Sequence, residues 1–145
     1  MDMATDMATG TTITLKSENG KVKTEIMEHI IDRKSKAFAV RIIKFTRFLQ
    51  EEKREFVLSK QILRSGTNIG ANARERKNAQ SRADFVNKLA IALKEADETQ
   101  YWLELLQESE IIELNLFNTL NEELKEIIAI ITSSIKTAKI KSNNK

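Results

Sequence analysis

The sequence predicts an all-α protein, an up-down-up-down four-helix bundle. Three observations carry that prediction. Proline is absent and only four glycines occur among 145 residues, so helices can run long without a breaker. Four stretches repeat apolar residues at helical spacing. The links between them are short, which makes successive helices antiparallel neighbours.

The elements follow in chain order. Residues 1–24 are expected to be a poorly ordered leader, because Met3-Ala4-Thr5-Asp6 is nearly repeated by Met7-Ala8-Thr9-Gly10. The bundle is expected over 25–138 and a fraying basic tail over 139–145. A first helix from Thr24 or Ile31 to Glu52 aligns Phe38, Ile42, Phe45 and Leu49. The charged run Glu51-Glu52-Lys53-Arg54-Glu55 is a link. A second helix, from Phe56 to Lys77, aligns Leu58, Ile62, Gly66, Ile69 and Ala73. Gly66 and Gly70 each cost about 1 kcal/mol relative to alanine inside a helix. Close approach of a neighbouring backbone would offset that cost, and the small residues Ser65, Ala71 and Ala73 favour it. A third helix, from Arg82 to Ser109, is capped by Ser81 with Asp84. Its stripe is Phe85, Leu89, Ala92, Ala96, Leu103 and Leu106. A fourth, from Leu116 to Ala138, is expected to be capped by Asn115, or by Thr119 with Glu122. It aligns Phe117, Leu120, Leu124, Ile127, Ile131 and Ile135.

The net charge of +3 is unevenly spread: −3 over residues 1–32, +11 over 33–94, −9 over 95–130 and +4 over 131–145. Oppositely charged halves can attract each other within a bundle or between subunits. Alternatively, the basic half holds phosphate backbone. The candidate phosphate contacts are Arg41, Lys44 and Arg47 on the first helix, Lys60, Arg64 and Arg74 on the second, and Arg76, Lys77 and Arg82 around the following link. Cysteine is absent, so no disulfide or thiolate metal site exists in this sequence. No apolar run has the ~20 residues of a membrane span, and a cytoplasmic protein is expected.

Catalytic chemistry finds few residues to work with. The single histidine, His29, has no acidic residue three positions before it, so the Glu-x-x-His pairs of a di-metal bundle are missing. No Gly-x-Ser-x-Gly elbow or phosphate loop occurs. Glu95 and Glu98 could act as acid and base, ligate a hard cation, or pair with basic groups on another helix or subunit. No catalytic residue, metal or cofactor is expected. A different feature is the polar stripe Gln61, Ser65, Asn68 and Asn72, extended by Glu75. Amides beside an apolar seam point to half-buried hydrogen bonding, within the bundle or across a subunit interface. With Gly66 and Gly70 it forms a candidate interface. Tyr101 and Trp102 join it, because adjacent helical residues point about 100° apart and one ring must face outward.

Two motifs carry a family resemblance. One is Ser59-Lys60-Gln61-Ile62-Leu63-Arg64-Ser65-Gly66-Thr67-Asn68-Ile69-Gly70-Ala71-Asn72. The other lies between Ser81 and Leu106: Asp84-Phe85, Lys88-Leu89, Ala92-Leu93-Lys94-Glu95-Ala96, Glu98-Thr99 and Tyr101-Trp102-Leu103. Over roughly residues 35–138 the chain resembles the bacterial four helix bundle protein family. That family is related to proteins encoded within intervening sequences of 23S ribosomal RNA genes and to the accessory protein of diversity-generating retroelements. The resemblance implies a four-helix protomer in a homopentameric ring. The retroelement relatives bind a reverse transcriptase and RNA through basic surfaces. After Asn72 the family pattern runs to Glu-Ala, whereas here Glu75 is followed by Arg76, which adds positive charge. The function expected is a non-enzymatic oligomeric scaffold that binds RNA or DNA through basic faces of the first three helices. The alternative is a protein-interaction ring without nucleic acid.

Overall fold

A computed structural model of the protein describes residues 19–143. Four helices follow in order: α1 (Asn19–Glu51), α2 (Leu58–Glu75), α3 (Arg82–Glu108) and α4 (Leu114–Asn143). A single 3-10 turn, Arg76–Asn78, follows α2. No strand occurs among the described residues. Each helix packs on its neighbours in the order α1, α2, α3, α4 and back to α1, and the backbones of helices across the diagonal stay apart among the described residues. This is the up-down-up-down bundle expected.

The apolar stripes meet in one core. Phe38, Ile42, Phe45 and Leu49 of α1 are buried, with Ile62, Ile69 and Ala73 of α2. Leu89, Ala92, Ala96, Leu103 and Leu106 of α3 face Leu120, Leu124, Ile127 and Ile131 of α4 across it. Burial of such stripes is the main stabilising term of the fold.

Helix ends differ from the expectations where side chains or tertiary contacts override local signals. The helix α1 begins at Asn19, inside the stretch expected as leader, and buries Val22 and Ile31. The rest of that stretch, residues 1–18, lies outside the described residues. α4 runs through the expected tail to Asn143, with Ala138 buried. It also starts at Leu114, so Asn115 and Thr119 lie inside it and neither caps it. The Thr119 hydroxyl instead donates to the Asn115 carbonyl at 3.0 Å. α2 is shorter than expected at both ends. Its start is fixed by Glu55, whose carboxylate accepts from the backbone N–H groups of Leu58 at 3.0 Å and Ser59 at 2.7 Å. A carboxylate there also favours the positive end of the helix dipole. At α3, Ser81 Oγ accepts from Asp84 N at 3.0 Å, as its sequence signature predicts. Beyond Ser109, Glu110 N donates to the Gln107 carbonyl and Ile111 N to that of Leu106, a Schellman closure. Glu110 takes φ 63° in it, where glycine is usual.

The charge blocks meet inside the protomer. Lys34 and Arg41 of α1 pair with Glu126 and Glu123 of α4, at 3.5 and 2.9 Å. Arg64 of α2 pairs with Glu95 and Glu98 of α3. These pairs are partly exposed, so each contributes little. Together they select the helix order that brings basic faces beside acidic ones.

A close contact joins α1 and α2 at two glycines. A Cβ on Gly66 would lie 2.9 Å from both Cγ1 and Cγ2 of the fully buried Ile42. One on Gly70 would lie 3.2 Å from Ser35 Oγ and 3.4 Å from the Ser35 carbonyl oxygen. Both glycines thus serve contact within the protomer, as the close-approach argument anticipated. For Gly66→Ala the gain in helix propensity, about 1 kcal/mol, is outweighed by overpacking against Ile42. A net loss of about 1–2 kcal/mol is expected, measured by urea unfolding. Gly70→Ala should cost less.

Candidate nucleic-acid interface

Arg76 shows how far a basic residue here can be from a surface role. The buried seam of α2 runs Ile62, Ile69, Ala73. Three residues on, the same spacing brings Arg76 inward, with its side chain 0% exposed. The guanidinium donates to Asp32 Oδ1 at 2.8 Å, to the Ala73 carbonyl at 2.7 Å and to the Glu28 carbonyl at 2.9 Å. Its Nε lies 3.6 Å from Glu28 Oε1. Arg76 was expected as a phosphate contact, and burial overturns that: it ties α1 to the end of α2. Lys77, 55% exposed, reaches the other carboxylate oxygen of Asp32 at 2.9 Å. Burial alone would raise the Asp32 carboxyl. The hydrogen bonds and charges of Arg76 and Lys77 outweigh it and hold the group below its ordinary 3.8.

The other expected phosphate contacts divide by face. Arg64 is engaged by Glu95 and Glu98, and Trp102 Nε1 donates to Glu98 at 3.2 Å. That engagement is the basic-partner reading of the two carboxylates, and it leaves Arg64 a poor phosphate ligand. Arg41 is exposed but paired with Glu123, and lies with Lys44 over an α1/α4 groove floored by Phe45 and Leu120. Arg82 is exposed at the start of α3. Arg47 and Lys60 are exposed on either side of the α1–α2 link. Arg74 and Lys77 sit at the far end of the same two helices.

At that far end a half-open groove of about 390 Å³ separates α1 from α2. Arg74 reaches it from α2, Lys77 from the 3-10 turn, and His29, Arg33 and Lys36 from α1, with Asp32 the one acidic lining residue among those described. Gly70, Ala39 and Ala71 leave its floor open. Arg33 Nε is buried without a hydrogen-bond partner among the described residues. The sequence reading missed His29, Arg33 and Lys36, although their spacing of four and three residues marks one helix face. In sequence they look like ordinary solvated helix residues, and only the packing of α1 on α2 brings them to a groove.

The expected interface stripe also splits. Ser65 is buried and shares a 2.8 Å hydrogen bond with the buried Thr99 hydroxyl of α3. Ser65 and Gly66 are therefore buried within the protomer, which removes them from the expected subunit or partner interface, while Gly70 is half-buried at the α1/α2 groove. Asn72 donates to the Asn68 carbonyl at 2.8 Å on its own helix. Gln61 and Glu75 are exposed, while Asn68 and Asn72 are half-buried. Tyr101 turns outward, 54% exposed, and Trp102 is half-buried against the core. No helix among the described residues is long and apolar enough to cross a membrane.

A short antiparallel four-helix bundle with a tight α1/α2 seam and an ion-paired α2/α3 seam is the class these features define. The model of the 23S rRNA-intervening sequence protein family matches residues 27–133, and the chain belongs to that family. It is similar to the crystal structure of a protein with unknown function from the S23 ribosomal protein family of Bacteroides thetaiotaomicron. The two are 55% identical with a TM-score of 0.75, over 76% of this chain and 98% of that one. No curated protein matches the chain.

Asp32→Ala should lower stability at pH 7 by about 3 kcal/mol, because it strips a buried guanidinium of its carboxylate. The sign with pH follows from the depressed carboxyl. Its contribution is complete above the unfolded value of 3.8 and is lost as pH falls through the lower folded value. Urea unfolding of the two proteins should therefore differ by the full amount at pH 7, and the gap should narrow as pH falls below 3.8.

Proposed function

We propose that the protein is a non-enzymatic oligomeric scaffold of the cytoplasm that binds RNA or DNA along the outer α1/α2 face. One observation carries the reading: Arg33, Lys36, Arg74 and Lys77 converge on a groove whose only acidic residue is Asp32. The Asp32 carboxylate is already neutralised from behind by Arg76. Arg47 and Lys60 extend the positive face toward the α1–α2 link. Lys77 is held by Asp32, whereas Lys36 and Arg74 form no ion pair among the described residues, and exposed cations of that kind suit a polyanion, whose bound counterions they release. Self-association uses the outer α2/α3 side, where Gln61, Asn68, Asn72, Glu75 and Tyr101 keep accessible surface. The homopentamer implied by the resemblance is the assembly expected.

A protein-interaction ring without nucleic acid is the second reading. Val40 and Ile43, 45% and 37% exposed on α1, favour it, because apolar side chains there suit a protein surface better than phosphate.

Binding of a labelled RNA is expected to weaken steeply with salt, log K falling against log salt with a slope of about −3 to −5. The double substitution Lys36→Glu with Arg74→Glu should reduce affinity more than about tenfold and flatten the slope. Salt-insensitive or absent binding, with a specific protein captured instead, would favour the second reading. Light scattering should give a mass of several protomers. Tyr101→Asp should lower it if the α2/α3 side forms the interface.

A further inference from the structure

We infer that the α1/α2 groove is a socket for a terminal phosphate group, the phosphorylated end of a nucleic-acid strand or a free nucleotide. This deepens the polyanion reading above and rests on it. Beyond the cations strung along the face, four gather at one end of it. They surround one hollow: Arg33 and Lys36 on α1 line it together with Arg74 at the end of α2 and Lys77 in the turn that follows. Counting Asp32, these lining groups carry a formal charge of +3. A backbone phosphodiester brings a single negative charge, whereas a phosphomonoester brings about −1.5 to −2 near neutral pH and three acceptor oxygens. A compact cluster of cations is matched by the second far better than by the first. The exposed Lys36 and Arg74 side chains are free to give charge-assisted hydrogen bonds to a shared oxyanion.

Size and floor agree with that assignment. The hollow, about 390 Å³, is at the scale of a small-molecule site, large enough for a phosphate with part of a nucleoside. The close approach of the helices at Gly70 sets its depth, and Ala39 and Ala71 keep its walls short. A longer side chain at any of these three positions would fill the hollow.

The test compares one RNA sequence carrying a 5′-phosphate, a 3′-phosphate or hydroxyls at both ends, by fluorescence anisotropy on the full chain. Calorimetry with adenosine monophosphate against adenosine runs beside it. Tighter binding of one phosphorylated end, by about tenfold, supports the socket. So does binding of the mononucleotide but not the nucleoside. Lys36→Gln and Arg74→Gln remove exposed side chains that hold no ion pair among the described residues, so the fold should persist by circular dichroism. They should erase the preference for the phosphorylated end while weaker, salt-dependent binding remains. Equal affinity for all three RNAs with no mononucleotide bound would overturn the socket and leave backbone binding standing. Mononucleotide bound without any RNA would keep the socket and overturn the nucleic-acid reading. No binding of either overturns both.

Discussion

The close approach of α1 and α2 is the constraint from which the rest of the molecule follows. Gly66 lets the α2 backbone press on Ile42, and Gly70 lets it press on Ser35. No side chain larger than hydrogen fits at the first without displacing a buried isoleucine. The cost of two helical glycines is thereby offset by dispersion contacts where the two helices touch. Because the seam is tight, the outer valley above it is narrow and shallow-floored. It is this valley that gathers basic side chains from both helices.

Below the seam the same approach brings Arg76 to Asp32. A buried guanidinium is costly to desolvate, and its cost is met only by complete hydrogen bonding. Two backbone carbonyls and one carboxylate supply most of that, with Glu28 close by. The arrangement is specific more than it is strong, since a register slip of one residue would leave the charge unpaired. The remaining ion pairs, α1 with α4 and α2 with α3, act at the surface and guide helix order at little energetic gain.

Much of the fold was legible because it depends on local periodicity. The buried residues of α1, α3 and α4 are the ones whose spacing marks a helix face, and Ser81 caps where its signature says. Helix ends were less legible. Glu55 starts α2 by reaching forward to backbone N–H groups, which composition does not reveal. Thr119 looked like a cap but sits inside α4, where tertiary packing prevails over local preference. The candidate site was legible only in part. Arg74 and Lys77 were marked by their charge, whereas His29, Arg33 and Lys36 lie more than thirty residues away in sequence. Only the pairing of helices unites them. Arg76 was misjudged for the same reason, since its partners Asp32 and Glu28 belong to another helix.

The helices differ greatly in length, and this has a mechanical consequence. α1 has 33 residues and α2 only 18, about 50 Å against 27 Å. The first turns of α1 therefore run on past the end of α2, braced by α4 through Val22, Ala138 and the contact of Lys141 with Thr24. Residues 19–26 of this overhang also precede the stretch shared with the family. With one supporting flank missing, the overhang behaves as a cantilever. With fewer packing partners than the seam beyond Arg76, it is the part of the bundle that opens at the lowest free energy.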